Sequence, residues 1–422
     1  MIARILFVLL QVLACGFACG QPAPNTPPSP APAPPSPPNS VTSNADRPHA
    51  AEAINAFAAD LWRQLRTADG NLVVSPASIS LALCMAYGGA NGETAEQMRR
   101  VLHLGMTADR VHAANADLLA SWNAPGKPYD MFVANRVFSD RQFPILDGYV
   151  ALTRDRYGAP LEMLDMRGSP DTSAQRINAW VSEQTRGRIR DIVRAELLRA
   201  GRAVLVNAIY FKGKWVTPFA PGATRDQDFT LASGQRVRAP MMHTAQHFGY
   251  AAIDDGAKVL RMRYEGNDIE MIVALPRDPG GLAALEQQVT ATRVDQWVRA
   301  MSETDVVVAL PRFRIEMASP LLLSTTLQAM GMRLAFSDGA DFSTMSTADA
   351  LKIGEVVHRV FVEVNEEGTE AAAATGVVMT PGSAVPPEPI RFIADHPFLF
   401  FIRDVRSGAI LFWGRVANPV LT

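Results

Sequence analysis

The chain has 422 residues, 48% hydrophobic and 19% charged, with a formal net charge of −2. That is ample for a sizeable core, and it excludes the electrostatic footprint of a bulk nucleic-acid or anionic-membrane binder. Of its three cysteines only Cys84 lies in the part expected to fold, so that part must be stabilised by its core and not by an internal disulfide.

The N-terminus has the layout of a targeting segment. Arg4 supplies a positive charge, the apolar run over 5–13 is broken only by Gln11, and small residues follow around Ala14, Gly16 and Ala18. The run is too short for a spanning helix of ~20 residues. Val12-Leu13-Ala14-Cys15 resembles a bacterial lipoprotein cleavage box, and Gly16-Phe17-Ala18-Cys19 is a second one, so Cys15 or Cys19 is the lipidation candidate. Ordinary signal cleavage with plain secretion is the other reading. Pro, Ala and Ser dominate from Gln21 to Ser40, which favours an extended spacer over a fold. The expected layout is a signal segment over 1–19, a Pro-rich linker over 20–46 and one folded unit over 47–422. The protein is then extracytoplasmic, and a lipid is its only tie to a membrane.

The folded part begins with helices. A helix over 51–66 puts Ile54, Phe57, Ala58, Leu61 and Leu65 on one stripe. Ser75-Pro76 is a cap followed by a first-turn proline, opening a helix over 77–87. Cys84, among Leu81, Leu83 and Met85, reads as a small buried hydrophobe and not as a nucleophile. Gly88-Gly89-Ala90-Asn91-Gly92 lacks the spacing and lysine of a phosphate loop and reads as a helix–helix turn. Thr94 with Gln97 is a capping-box signal for a helix reaching Leu102. Ser169-Pro170 opens another, past Trp180, and Ser319-Pro320 a further one with Leu323, Leu327 and Met330 as its apolar face. The basic runs Arg186-Gly187-Arg188-Ile189-Arg190 and Arg261-Met262-Arg263 are short and read as solvated faces.

Strands are expected over 203–211, 269–275, 306–310, 356–364, 397–402 and 409–414, several of them apolar on both faces. Helices first and strands later predict an α+β fold with helices packed on large sheets. Hydrolase and metal signatures are missing: there is no Gly-x-Ser-x-Gly elbow and no His-Glu-x-x-His. His243 and His247 are four apart without a further ligand nearby, so neither a metal nor a cofactor is expected.

Residues 366–382 carry the most functional information. Glu366 and Glu367 precede Gly368, where the backbone turns freely, and Thr369 to Thr375 then carries small side chains with one charge, Glu370. The connection exceeds the ~12–15 residues beyond which loops are functional or disordered. In a strand, Thr369, Ala371, Ala373 and Thr375 would share one small, buriable face, with Glu370 pointing outward. The segment therefore reads as a loop that can also be a strand. An alanine-rich helix or a surface linker is the alternative.

Five stretches resemble the serpin family across nearly all of 50–420. Asn71-Leu72-Val73-Val74-Ser75-Pro76-Ala77-Ser78-Ile79 and Gly89-Ala90-Asn91-Gly92-Glu93-Thr94 resemble its N-terminal signature. Val206-Asn207-Ala208-Ile209-Tyr210-Phe211-Lys212-Gly213-Lys214-Trp215 is similar to its central strand motif. Val364 to Thr375 resembles the inhibitory hinge, and Asp395-His396-Pro397-Phe398 and Phe412-Trp413-Gly414-Arg415-Val416 resemble the closing strands.

The resemblance implies a metastable fold of helices on large mixed or antiparallel sheets, with an exposed reactive loop. A serine protease cleaves the loop, is acylated, and is trapped as the loop inserts into the main sheet. The chain is then an inhibitor and not an enzyme, acting as a monomer, with cysteine proteases as a second class of partner. Counting from Glu366 as in inhibitory members places the reactive bond at Gly382–Ser383. The implied hinge is Glu366, Gly368, Thr369, Glu370, Ala371, Ala372, Ala373, Ala374 and Thr375. Ser75, Ser78, Asn207 and His358 match the polar cluster where the sheet opens, and Trp215 the aromatic at its top. Gly382 has no side chain for a specificity pocket, which disfavours trypsin-like targets and fits an elastase- or subtilisin-like one. Met379–Thr380 and Ala384–Val385 are alternative bonds. No concentrated basic helix of the heparin-binding kind is present. A non-inhibitory carrier, chaperone or decoy substrate is the alternative within the family, and the small hinge argues against it.

Overall fold

Ser75 shows how local sequence sets the first elements. It stands in extended backbone (φ −111, ψ 93), and its Oγ accepts a hydrogen bond from the Ser78 amide at 3.3 Å. Pro76, which has no N–H to satisfy, opens the helix Pro76–Tyr87. This helix is apolar almost all round and buried almost all round, as the innermost helix of a layered fold must be. In front of it, Asp46–Leu65 buries Ile54, Phe57, Ala58 and Leu61 of the predicted stripe, while Leu65 at its end is only half-buried. The computed structural model describes residues 46–199, 203–253, 256–317, 319–347, 351–369 and 389–420. The signal and linker segments, Cys15, Cys19, Glu370 to Thr375 and Gly382–Ser383 lie outside the described residues.

Two local signals are overridden by tertiary contacts. The helix Gly92–Val101 is not closed by a capping box. Thr94 Oγ1 instead accepts from the Asp341 amide at 2.9 Å, and Gln97 Oε1 from the amides of Arg333 and Leu334 at 2.9 and 2.8 Å. Both side chains tie the helix to a distant segment. Ser319-Pro320 does not open a helix either. It leads into the strand Leu321–Leu322, which pairs with Val357–His358. The helix Ser324–Ala329 follows, and its first amide donates to Glu355 Oε1 at 2.9 Å. A partner strand within reach outweighs a local cap.

The architecture is α+β, as predicted. Among the described residues one sheet has nine strands. It carries Leu72–Val74, Ile410–Val416, Phe398–Asp404, Ile269–Leu275, Lys258–Arg263, Arg236–Ala252, Ser302–Pro311 and Ile390–Ile393 in bonded order, with Arg225–Thr230 joined to Arg236–Ala252. Its hand-off from last strand to first, Ile410–Val416 onto Leu72–Val74, closes the chain on itself. A second group of four strands runs Gly368–Thr369, Ala203–Lys214, Asp130–Asp140, Leu161–Leu164. The strand predicted over 356–364 is two pieces, Val357–His358 and Phe361–Val364, which pair outward with Leu321–Leu322 and Phe313–Glu316. The helix Pro170–Gln184 packs Ile177 and Trp180 against Phe138, Val206 and Ala208 of the four-stranded group. Among the described residues no helix is long and apolar enough to cross a membrane.

Candidate functional site

The site is the slot between these strand groups. Its left wall is Ala203–Lys214, bonded on one edge to Asp130–Asp140. Its right wall is Val357–His358 with Phe361–Val364. Among the described residues the two walls do not pair with each other, and the left wall's inner edge carries only Gly368–Thr369, on Lys214 and Gly213. Low in the slot is a cavity of about 540 Å³, lined by Val204, Val206 and Asn207 on the left, Val357 and His358 on the right, and Ser78 and Leu83 beneath. Higher up the walls narrow to a crevice of about 10 Å³ between Ile209, Phe211 and Phe361. The two walls thus present facing strand edges, each with backbone donors and acceptors that an added strand can meet.

A polar chain crosses the floor. The Ser75 hydroxyl donates to Leu411 O at 2.7 Å, and the Ser75 amide to His358 Nε2 at 3.0 Å. The Ser78 hydroxyl donates to Asn207 Oδ1. Asn207 Nδ2 donates to Asn135 Oδ1 at 2.6 Å, and Asn135 Nδ2 to Tyr157 O at 2.9 Å. The structure thus brings Ser75, Ser78, Asn207 and His358 together, on a helix start and both walls. Because Nε2 of His358 accepts an amide, the ring is neutral in the fold. Burial pushes its pKa down to about 4. Sequence reasoning missed Asn135, which sits directly across the strands from Asn207.

The hinge is held from several sides. Trp215 stacks on Tyr264 with ring centroids 4.3 Å apart, its amide donates to Glu367 O at 2.7 Å, and its indole donates to Asn365 O at 3.0 Å. Tyr264 and Thr369 share a hydrogen bond between hydroxyls at 2.8 Å, and both are buried. Gly368 has φ +155, and a Cβ there would lie 1.9 Å from Gly213 O, so only glycine lets the strands approach this closely. Glu366 is buried and accepts from Arg312 Nε at 3.2 Å, from a second Arg312 nitrogen and from Thr224 Oγ1 at 2.6 Å. Burial alone would raise its pKa, but the Arg312 guanidinium and Thr224 hydroxyl outweigh that and hold the carboxyl below its usual range. The hinge therefore starts from an anchored residue. Arg312, Thr224 and Tyr264 escaped the sequence reading because no local pattern links them to the loop.

Elsewhere, burial pushes the Cys84 thiol up to about 12, which leaves it without nucleophilic character. His247 pairs with Asp305 at 2.7 Å. Among the described residues no group of three or more His, Cys, Asp or Glu side chains is placed to hold a metal ion.

The sequence pattern of the family described as "Serpin (serine protease inhibitor)" matches residues 52–419. The chain belongs to the serpin family. The leukocyte elastase inhibitor of Bos taurus is 41% identical over 373 residues, covering 86% of this chain and 97% of that protein. An uncharacterized serpin-like protein of Thermococcus kodakarensis is 38% identical, with 98% of each chain covered. Among solved structures, cleaved Serpin 42Da aligns with a TM-score of 0.79 at 31% identity, over 89% of this chain and 99% of that one. Uncleaved ovalbumin aligns with a TM-score of 0.78 at 29% identity, over 88% of this chain and 100% of that one. Serpins are mostly protease inhibitors and not catalytic enzymes.

Proposed function

We propose that this serpin is a suicide inhibitor of serine proteases that inserts its own cleaved loop into the slot. The observation that carries this reading is the pairing of Gly368–Thr369 with Lys214 and Gly213, which sets the start of the loop at the top of the slot in antiparallel register. Each residue further along the loop advances one residue back along the wall. In an inserted strand Ala371 would fall opposite Phe211, Ala373 opposite Ile209 and Thr375 opposite Asn207. Phe211 and Ile209 are buried, so this face of an inserted strand has to be small. Thr375 would meet the polar chain, where its hydroxyl can be partnered. The inserted strand would gain ladder hydrogen bonds on both edges, the source of the driving force. Ser75, Ser78, Asn207 and His358 would bridge the walls before insertion, and Trp215 would brace the top.

The reactive bond in this reading is Gly382–Ser383. Its missing side chain fits a shallow pocket of elastase or subtilisin type, and the bovine relative is named for an elastase. Cysteine proteases are a second target class. Secretion, with lipidation at Cys15 or Cys19 holding a monomer at a membrane, belongs to the same reading. The test mixes the protein with elastase-, chymotrypsin-, subtilisin- and trypsin-like proteases and sequences the released C-terminal peptide. A denaturant-stable adduct and a peptide beginning at Ser383 are expected. Loop cleavage without an adduct across the panel rules the inhibitory reading out.

A further inference from the structure

A second cavity, of about 370 Å³, lies among the helices. It opens between Asp46–Leu65, Pro76–Tyr87, the helix Ala108–Trp122 and the connection over 103–106. Ala53, Ile54, Leu104, Met106 and Val111 give it apolar walls, and the exposed Arg110 stands at its edge. It shares no lining residue with the slot.

The chain enters the fold beside this cavity. Asp46 opens the first helix, and Arg110 holds its carboxylate through Nε at 3.1 Å and Nη2 at 2.6 Å. Two parallel bonds from one guanidinium fix direction as well as distance, so the root of the spacer is pinned at the rim. Upstream, the Pro-rich repeat ends at Pro38, and Asn39-Ser40-Val41-Thr42-Ser43-Asn44-Ala45 carries neither proline nor charge. Proline apart, Val41 is the one aliphatic residue larger than alanine between Gln21 and Ala45. A solvated spacer has no use for such a side chain, and an apolar cavity within reach does. The five steps from Asp46 back to Val41 span up to about 16 Å. Ala53, on the cavity wall, is only ~11 Å along the helix from Asp46.

Tethering also favours this occupant over a free one. A segment on so short a leash stands at millimolar effective concentration before the cavity. Burying one valine side chain then shifts the seated fraction roughly tenfold or more. The absence of charge means that no ion has to be desolvated on entry.

We propose that residues 41–45 fold back from Asp46 and seat Val41 in this cavity, so that the Pro-rich spacer leaves the domain from a fixed point beside the first helix. The reach of the spacer is then set by 21–40 and not by the whole segment up to Ala45. Seating of Val41 is independent of loop insertion.

The test is methyl NMR on the full chain, labelled at Met Cε and Val Cγ. Met106 is the one methionine lining the cavity. A cross-relaxation peak between the Val41 and Met106 methyls is expected. V41D should abolish it and shift the Met106 signal, whereas V41I should leave that signal in place. R110Q, which frees Asp46, should weaken the peak several-fold, and deletion of 21–40 should leave it unchanged. Absence of the peak from the wild-type chain overturns the proposal. So does a peak between separately Val-labelled and Met-labelled chains once mixed, since a second copy would then fill the cavity.

Discussion

Thr369 is the position where the insertion mechanism is most exposed to a quantitative test. Its side chain is buried and shares a hydrogen bond with the hydroxyl of Tyr264, which is itself buried and stacked on Trp215. Thr369→Arg would place a guanidinium where this hydroxyl pair now sits. An uncompensated buried charge costs about 3–5 kcal/mol, so the arginine would leave the sheet in the uncleaved fold and have to be buried again on insertion, slowing it about 10²–10⁴-fold if the whole cost is felt in the transition state. Thr369→Val keeps the shape but leaves Tyr264 without its partner, about 1–3 kcal/mol or roughly 5–150-fold. Thr369→Ser keeps the hydroxyl and loses one methyl, worth about 1 kcal/mol. Trapping succeeds only when insertion outruns hydrolysis of the acyl-enzyme, so these costs convert inhibitor into substrate. The assay is the ratio of denaturant-stable complex to cleaved serpin on gels, with the protease that gives the best wild-type yield. The order wild type, Ser, Val, Arg is expected, with complex all but absent for Arg. An undiminished yield in Thr369→Arg would falsify loop insertion through this site.

Three further outcomes follow from the same geometry. Asn207→Ala removes the acceptor of Ser78 and the donor to Asn135, stranding two polar groups at about 1–3 kcal/mol each, visible as a lower urea midpoint. Gly368→Ala sets a methyl against the Gly213 carbonyl and Lys214 Cα, which no rotamer can relieve, so hydrogen exchange at the Gly213 and Trp215 amides should rise. Unchanged protection there would contradict the close approach. Burial lowers the pKa of His358 and of His112 from 6.5 to about 4. The unfolded chain therefore binds more protons than the fold between these values, and stability falls as pH drops from 6.5 toward 4, by roughly 3 kcal/mol per ring at most. Thermal midpoints measured across that range should decline, and His358→Asn should remove about half of the slope.

Much of this protein was decided by sequence alone. The stripe on Asp46–Leu65, the Ser75-Pro76 helix start and the strand Ile269–Leu275, apolar but for Glu270, follow from periodicity and capping, which act over a few residues. The alternation of small residues after Gly368, and the family motifs, pointed to a loop able to become a strand. What only the tertiary structure decided are the relations between distant segments. The separation of the walls depends on which strands find partners, and Val357–His358 and Phe361–Val364 both pair outward. Thr94 and Gln97 spell a capping box, yet their hydrogen bonds go to the 333–341 segment, because a folded chain can satisfy a polar group anywhere it reaches. Glu366 finds Arg312 only once the neighbouring strands Phe361–Val364 and Phe313–Glu316 pair, and the arginines after Gln184 reach rings on two walls only once the sheet stands beneath them. Such contacts leave no periodic trace, since their energy comes from the closure of the whole chain and not from the spacing of residues along it.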